Sequence, residues 1–201
     1  FRPVLRNRRA MGYILGYGVH CFELYGFRTW LVAFGSYIIA RSGSDAALVD
    51  PITLSVIITL LAVPATVLGN EGAIRFGRHR SIATVMWASA VVAFGVVLLV
   101  SAPPVFLLVL LLAYAFTLPG DSGALTSGMA MSANASERGA TMALHSMVGF
   151  GMAALGGVAV GLAIDAAGGP ESNAGWSAAF VVMGFSIALG PAVLKWSRKQ
   201  A

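Results

Sequence analysis

The chain has 201 residues and a net charge of +5, yet only 10% of its residues are charged and 58% are hydrophobic. A soluble domain carries about 25% charged residues, so this chain has too little polar surface to cover a water-soluble globule. The lysines and arginines lie at the edges of apolar runs, where cations set membrane topology, and this placement argues against nucleic-acid binding. The composition therefore predicts an integral membrane protein whose main partner is the lipid bilayer.

The cysteine content and the start of the sequence narrow the class further. Cys21 is the single cysteine, so no internal disulfide and no cysteine-rich metal centre can form. We predict neither a metal site nor a cofactor. The chain begins Phe1-Arg2-Pro3 and enters an apolar run within about ten residues, which is unlike a signal peptide. We therefore expect a fragment that lacks an upstream segment.

Six apolar runs, each near the length of about 20 residues that spans a bilayer, predict an all-α bundle of six transmembrane helices. Polar or proline-containing turns separate the runs. At Asp50-Pro51, for example, an N-cap residue precedes a proline at the first helical position. The predicted helices cover residues 9–40, 51–68, 81–100, 105–131, 138–166 and 176–196.

The distribution of cations predicts the orientation of these six helices. The chain has 13 lysines and arginines. Only Arg41 falls in a loop on one side of the membrane, and Arg28 lies inside the first helix. The positive-inside rule then places both termini, and the loops after the second and fourth helices, in the cytoplasm. The cytoplasmic cations are Arg2, Arg6, Arg8, Arg9, Arg75, Arg78, Arg80, Arg138, Lys195, Arg198 and Lys199.

The first predicted helix is unusual because ionisable residues lie deep within it. At about 100° per residue, His20 and Glu23 share one face with Phe27 and Trp30, whereas Arg28 points away from Glu23. Ionisable groups at membrane depth are costly and by default mark a substrate pathway or a proton relay. We expect Glu23 to face a central cavity and to carry protons, and Arg28 to hold an anionic substrate group. A structural hydrogen-bond network to a neighbouring helix is the alternative for these residues.

The fourth and fifth predicted helices add two ionisable residues and a stripe of small residues. Asp121 follows Pro119-Gly120 and is interpreted as part of a proton relay, as a gate with a loop arginine, or as a hydrogen-bonded residue at a helix break. His145 is interpreted as a packing or relay residue. The four-residue spacing of the stripe predicts the close approach of another helix. Its members are Gly149, Ala153, Gly157 and Gly161.

The segment between the second and third predicted helices is basic and reads GNEGAIRFGRHR from residue 69 to residue 80. It resembles the loop signature of the major facilitator superfamily, in which glycine permits a sharp turn and arginines hold the loop at the cytoplasmic leaflet. Ile74 stands where that family has an aspartate, and Glu71 is a candidate replacement. Glu137-Arg138-Gly139 is also similar to that superfamily. The motif residues are Gly69, Glu71, Arg75, Gly77, Arg78 and Arg80.

The resemblance implies that residues 1–201 form the C-terminal six-helix half of a permease of this superfamily. It further implies proton-coupled movement of a small-molecule substrate by rocker-switch alternating access, in a bacterial inner membrane. The missing N-terminal half of the same transporter would complete a site at the interface between the halves.

Two other classes of protein compete with this interpretation. Residues 120–123 match the G-x-S-G motif of rhomboid intramembrane proteases, with Ser122 as the nucleophile and His145 as the base. In that family the histidine lies one helix later, and the glycine that follows it is three residues on, not four. A membrane scaffold without transport activity is the other class. The sequence favours the transporter over both.

Overall fold

The computed structural model describes residues 1–43 and 49–198. Within these ranges the chain forms nine α-helices and a short 3-10 turn at Ala135–Glu137. Lys199, one of the predicted cytoplasmic cations, lies outside the described residues. The helices are α1 (Arg2–Arg6), α2 (Arg8–Ser42), α3 (Pro51–Phe76), α4 (Arg78–Leu99), α5 (Pro104–Thr117), α6 (Ser122–Ser132), α7 (Arg138–Ala166), α8 (Asn173–Ala188) and α9 (Gly190–Arg198).

Five segments of the described chain are long and apolar enough to cross a membrane. Helix α2 is also long enough, at 35 residues, but it is not among the five because its ionisable side chains make it less apolar. The chain is therefore a polytopic helical membrane protein, and the assignment of α2 as a sixth span stays a prediction. The five segments are Pro51–Phe76, Arg78–Leu99, Pro104–Ser132, Ala135–Ala166 and Asn173–Ser197.

Helix α3 continues to Phe76, well beyond the predicted end at residue 68. The prediction of a loop from residue 69 is therefore wrong, because no residue in this stretch stops a helix. Arg75 Nε lies 2.8 Å from Glu71 Oε1, and such a pair one turn apart supports the last turns. Gly77 ends the helix with a φ of 91°, a conformation that glycine adopts without steric cost. Helix α4 begins at the next residue.

Two of the predicted helices are each divided in two beside a proline. Helices α5 and α6 are separated at Pro119, which confirms the helix break expected there. Helices α8 and α9 are separated at Leu189, just before Pro191, a break that the sequence analysis missed. Proline lacks an amide hydrogen and clashes with the preceding turn. The first of these breaks makes Asp121 the N-cap residue of α6.

Helix α2 packs along α7 more extensively than along any other helix. Trp30 Nε1 donates a hydrogen bond to the carbonyl oxygen of Gly157 over 2.9 Å. Gly156, which is not in the predicted stripe, also lies in this interface, where a Cβ would overlap the carbonyl oxygen of Phe22. The predicted close approach is therefore confirmed. The stripe residues that contact side chains of α2 are Gly149, Gly157 and Gly161.

Two apolar clusters fill the bundle at different heights. One lies toward the start of α2, where Ile14, Met86 and Leu125 are buried. The other lies toward the end of α2 and includes Phe34 and Phe180. Between the two clusters along α2, the side chains of His20 and Glu23 are also buried. Polar groups therefore lie inside the bundle near the middle of α2.

The outward faces of the bundle are apolar. Ile52 and Leu60 on α3, and Phe150 and Leu162 on α7, are each about two-thirds exposed. In water such continuous apolar faces promote aggregation. In a bilayer they face lipid or another apolar helix surface, as the composition predicts.

Candidate functional site

Buried and half-buried polar side chains near the middle of α2 form two neighbouring groups, which together we call the polar layer. They come from α2, α4, α5, α7 and the break before α6. Burying a polar group is costly unless it is paired, so the pairing within the layer decides what it can do. Its members are Tyr17, His20, Glu23, Ser89, Tyr114, Asp121 and His145.

Glu23 lies at the centre of the polar layer and is fully buried. Its Oε1 accepts hydrogen bonds from Ser89 Oγ at 2.8 Å and from the Tyr114 hydroxyl at 2.7 Å. Its Oε2 is buried and has no hydrogen-bond partner among the described residues. The carboxyl is therefore held by α4 and α5 through one oxygen only.

His20 and Asp121 form a second buried pair in the polar layer. His20 Nδ1 lies 2.7 Å from Asp121 Oδ1, and the two side chains are 1% and 2% exposed. The contact has ion-pair distance but lacks hydrogen-bond alignment. It is an ion pair only when the imidazole is protonated. Asp121 also lies within electrostatic range of Glu23, so the two buried carboxyls and the imidazole influence one another.

Two aromatic contacts extend the polar layer from His20 to His145. The Tyr17 ring stacks on both imidazoles, with centroid distances of 5.7 Å to His20 and 3.9 Å to His145. His145 Nε2 lies 3.5 Å from the Thr126 hydroxyl, at the limit of a hydrogen bond. Thr126 is exposed and Tyr17 is half-buried. The polar layer therefore reaches the surface of the described bundle on the side of α6 and α7.

The face of α2 that bears Glu23 points into the bundle. Phe27, on the same face, is 3% exposed, whereas Leu15 and Val32 on the other side are exposed; Trp30 is half-buried against α7. Glu23 is enclosed in this structure, because its hydroxyl donors come from α4 and α5 of the same bundle. The expectation that it faces the central cavity of the complete protein stays a prediction.

Arg28 is half-buried and lines a small crevice between α2, α3 and the break after α5. Leu24, Ala62, Tyr114 and Pro119 line this crevice with it. Within the described part of the chain, no carboxylate lies within ion-pair distance of its guanidinium.

The basic motif at the α3–α4 junction joins that junction to α6. Arg78 donates hydrogen bonds to the Ala124 carbonyl oxygen, at 3.1 Å, and to the Ser127 hydroxyl. Asp121 pairs with His20 instead, so the proposed gate between Asp121 and a loop arginine is not present in this structure.

The other motif residues have separate roles. Gly69 lies against Gly120, where a Cβ would overlap the Gly120 carbonyl oxygen. This contact explains a glycine in the middle of a helix. Glu71 and Arg75 form an exposed pair, and Arg80 is exposed.

The protease alternative requires a hydrogen-bonded serine and histidine, and the structure does not bring them together. No hydrogen bond joins Ser122 and His145 within the described residues; His145 faces Tyr17 and Thr126. A nucleophile needs an adjacent base within hydrogen-bond reach. This geometry does not provide one.

Sequence reasoning missed Tyr17, Ser89 and Tyr114 as members of the polar layer. Each is a polar residue inside an apolar run, and that was the signal available. Serine and tyrosine are common in apolar helices, however, and only the folded arrangement shows that two of them bond to Glu23.

The fold and the polar layer define a class, a polytopic helical membrane protein with buried ionisable groups. A crystal structure of an auto-inhibited POT family peptide transporter matches this chain with a TM-score of 0.74 at 20% sequence identity. The match covers 96% of this chain and 37% of that transporter chain. The chain therefore shares the fold of part of that transporter chain. No protein-family model and no curated protein matches the sequence.

Proposed function

We propose that this chain is one six-helix half of a secondary transporter of the major facilitator type, which moves a small solute by proton-coupled alternating access. The fold of the matched transporter segment supports the class, and the coverage of 37% of that chain is consistent with a half. The observation that carries the proposal is the polar layer, because two carboxyls and two imidazoles are buried inside a membrane bundle.

Helix packing and the placement of cations support a six-span topology. Helix α2 lies at the centre of the bundle and packs on α3, α6, α7, α8 and α9, and this packing supports a sixth crossing of the bilayer by α2. The described cations other than Arg28 and Arg41 lie at the end of the bundle that holds the α3–α4 junction. We therefore assign that end and both termini to the cytoplasm, and the chain to the C-terminal half.

The chemistry of the polar layer suits proton transfer. An ionised carboxylate or imidazolium is costly in an apolar interior, so gain or loss of one proton changes the stability of the whole layer. Glu23 lies within electrostatic range of Asp121, which contacts His20. Tyr17 and His145 extend these contacts to the surface. Buried ionisable chains of this kind serve as proton relays in transporters.

Reconstitution of the full-length protein into proteoliposomes tests this function. A pH-sensitive dye inside the vesicles reports proton movement while pools of small solutes are added outside. We expect at least one solute to drive proton movement, and its accumulation to fall when a protonophore collapses the gradient. Glu23→Gln keeps the shape of the side chain and removes its titration, so it should abolish gradient-driven accumulation. Solute counterflow should survive.

Glu171→Gln is the matched control, because Glu171 is exposed outside the spans, and it should accumulate solute like the parent. Full gradient-driven uptake by the Glu23→Gln protein would show that Glu23 has a structural role. Failure of every solute to move or exchange would contradict transport itself.

A further inference from the structure

A cluster of cations without acidic neighbours in the sequence lies at the end of the bundle where α2 begins. Neither residues 1–22 nor residues 172–201 include an aspartate or a glutamate. Helix α9 packs along the first turns of α2, where Gly12 lies against Ser197, so these two stretches meet in space. The cations that they contribute to the described helices are Arg2, Arg6, Arg8, Arg9, Lys195 and Arg198.

Arg8 is the member of this cluster that the structure holds in a defined place. Its guanidinium carbon lies 4.6 Å from the ring centroid of Trp196, a cation–π contact that restrains the side chain. Arg8 is half-buried, and no carboxylate of the described residues lies within ion-pair distance of it. The donors of a guanidinium lie along its edge, so contact with the ring leaves them able to bind an oxyanion.

The surroundings of Arg8 have the properties of a membrane boundary. Trp196 is 43% exposed and lies next to Ser197, the last residue of an apolar segment long enough to span a bilayer. Tryptophan at such a position lies at the level of the lipid headgroups. Helix α1 is held to the bundle by the buried Val4, whereas Leu5 beside it is 55% exposed. Cations next to an exposed apolar side chain at this depth fit a headgroup and the acyl chain attached to it.

We propose that the corner formed by α1, the start of α2 and α9 binds the phosphate of an anionic phospholipid from the adjacent leaflet. Arg8 donates two parallel hydrogen bonds to the phosphate oxygens, the other cations of the cluster balance the net charge of the headgroup, and Leu5 contacts the acyl chain. A lipid held in this way bridges the three helices and stabilises the packing of α9 on α2. It is a structural ligand, so its binding does not depend on the transported solute.

Lipid-dependent thermal stability measures binding at this corner. The full-length protein in detergent is titrated with dioleoylphosphatidylglycerol, with dioleoylphosphatidylcholine or with inorganic phosphate. A ligand that binds only the folded state raises the melting temperature, and the midpoint of the rise compares affinities. We expect phosphatidylglycerol to act at the lowest concentration. Phosphatidylcholine, whose choline neutralises the phosphate, should need about ten times more, and inorganic phosphate, which has no acyl chain, should not stabilise the protein.

Arg8→Gln should raise the midpoint for phosphatidylglycerol by about tenfold, because it removes both the charge and the two parallel donors. Arg8→Lys keeps the charge but has no planar group to stack on Trp196, so it should raise the midpoint several-fold. Arg138→Gln is the matched control, because it removes the same charge at an exposed position at the start of α7 and should leave the midpoint unchanged. Should Arg8→Gln not fold, Arg8→Lys and Arg138→Lys make the same comparison.

Three results would each overturn the lipid site. Equal midpoints for the two lipids would show that the headgroup charge is not recognised. Equal effects of substitutions at Arg8 and Arg138 would show that the cations at this end act only as diffuse charge. Stabilisation by inorganic phosphate alone would show that the corner binds a free anion. The titration needs neither solute nor gradient, so its outcome is independent of the transport assay.

Discussion

Helices α2 and α3 differ in composition and in their place in the bundle. Helix α2 carries His20, Glu23 and Arg28, is the less apolar of the two, and lies at the centre of the bundle. Helix α3 is strongly apolar, yet side chains such as Leu60 and Val67 point outward. In a bilayer the polar helix is enclosed and the apolar helix is exposed, the reverse of a soluble protein. Apolarity alone therefore identifies the peripheral helices and passes over the central one.

The largest effect is expected where α2 is held against α7. In Gly156→Leu the new side chain would overlap the Phe22 carbonyl oxygen, and the two backbones would have to separate. We expect a loss of at least about 3 kcal/mol of stability, at the upper end for overpacking. Gly151→Leu is the matched control, because nothing lies within 4 Å of a Cβ there. Thermal unfolding in detergent compares the two, and equal melting temperatures would show that the α2–α7 approach is looser than described.

The next largest effect tests the outward face of α3. Leu60 is 66% exposed, and Leu60→Asp places a carboxylate there without hydroxyl donors such as those that α4 and α5 provide to Glu23. We expect destabilisation by about 2.5 kcal/mol, the cost of a charge near a helix centre in lipid. Leu60→Met keeps the volume and should change little. The yield of folded protein from membranes measures both, and an Asp variant as abundant as the Met variant would place this face in water.

The positions of several helices could be predicted from the sequence, because an apolar run or a proline affects the helix in which it occurs. The α7 segment and the Pro119 break were predicted for this reason. The extension of α3 through residues 69–76 could not be predicted, because a glycine-rich motif reads as a loop while Gly69 in fact meets Gly120.

The candidate site was only half predictable for a related reason. Helical periodicity placed His20 and Glu23 on one face, and the structure confirms that they share it. It could not decide whether that face turns toward a cavity or toward the helices of the same unit. Ser89 and Tyr114 determine this orientation, and they are distant from Glu23 in sequence.

The smallest effect distinguishes the starts of the two helices. Asp50 caps α3 and accepts from the amides of Ile52 and Thr53, both at 3.0 Å. Hydrogen bonds, first from Thr53, lower the pKa of Asp50 below its ordinary value of 3.8. The cap is therefore intact above pH 3.8 and is lost as the pH falls through the lowered pKa. Helix α2 is capped by Asn7, which does not titrate in this range.

Hydrogen–deuterium exchange at the first turn of α3 measures this difference. Relative to Asp50→Asn, which keeps an acceptor without a titratable group, the amides of Ile52 and Thr53 should lose protection in acid. The first turn of α2 should show no such change. Identical acid sensitivity in the parent and the Asp50→Asn variant would refute the role of the carboxylate.

The central claim is that α2 crosses the membrane with His20 and Glu23 enclosed, and the sidedness of its two ends tests the crossing most directly. Two variants, Leu5→Cys and Gly43→Cys, are each made in a Cys21→Ala protein. The two positions lie just before and just after α2. A membrane-impermeant maleimide is applied to sealed membranes of known orientation. We predict that Leu5→Cys is labelled from the cytoplasmic side only and Gly43→Cys from the opposite side only. Labelling of both from one side would show that α2 does not span the bilayer and would contradict the six-span transporter half.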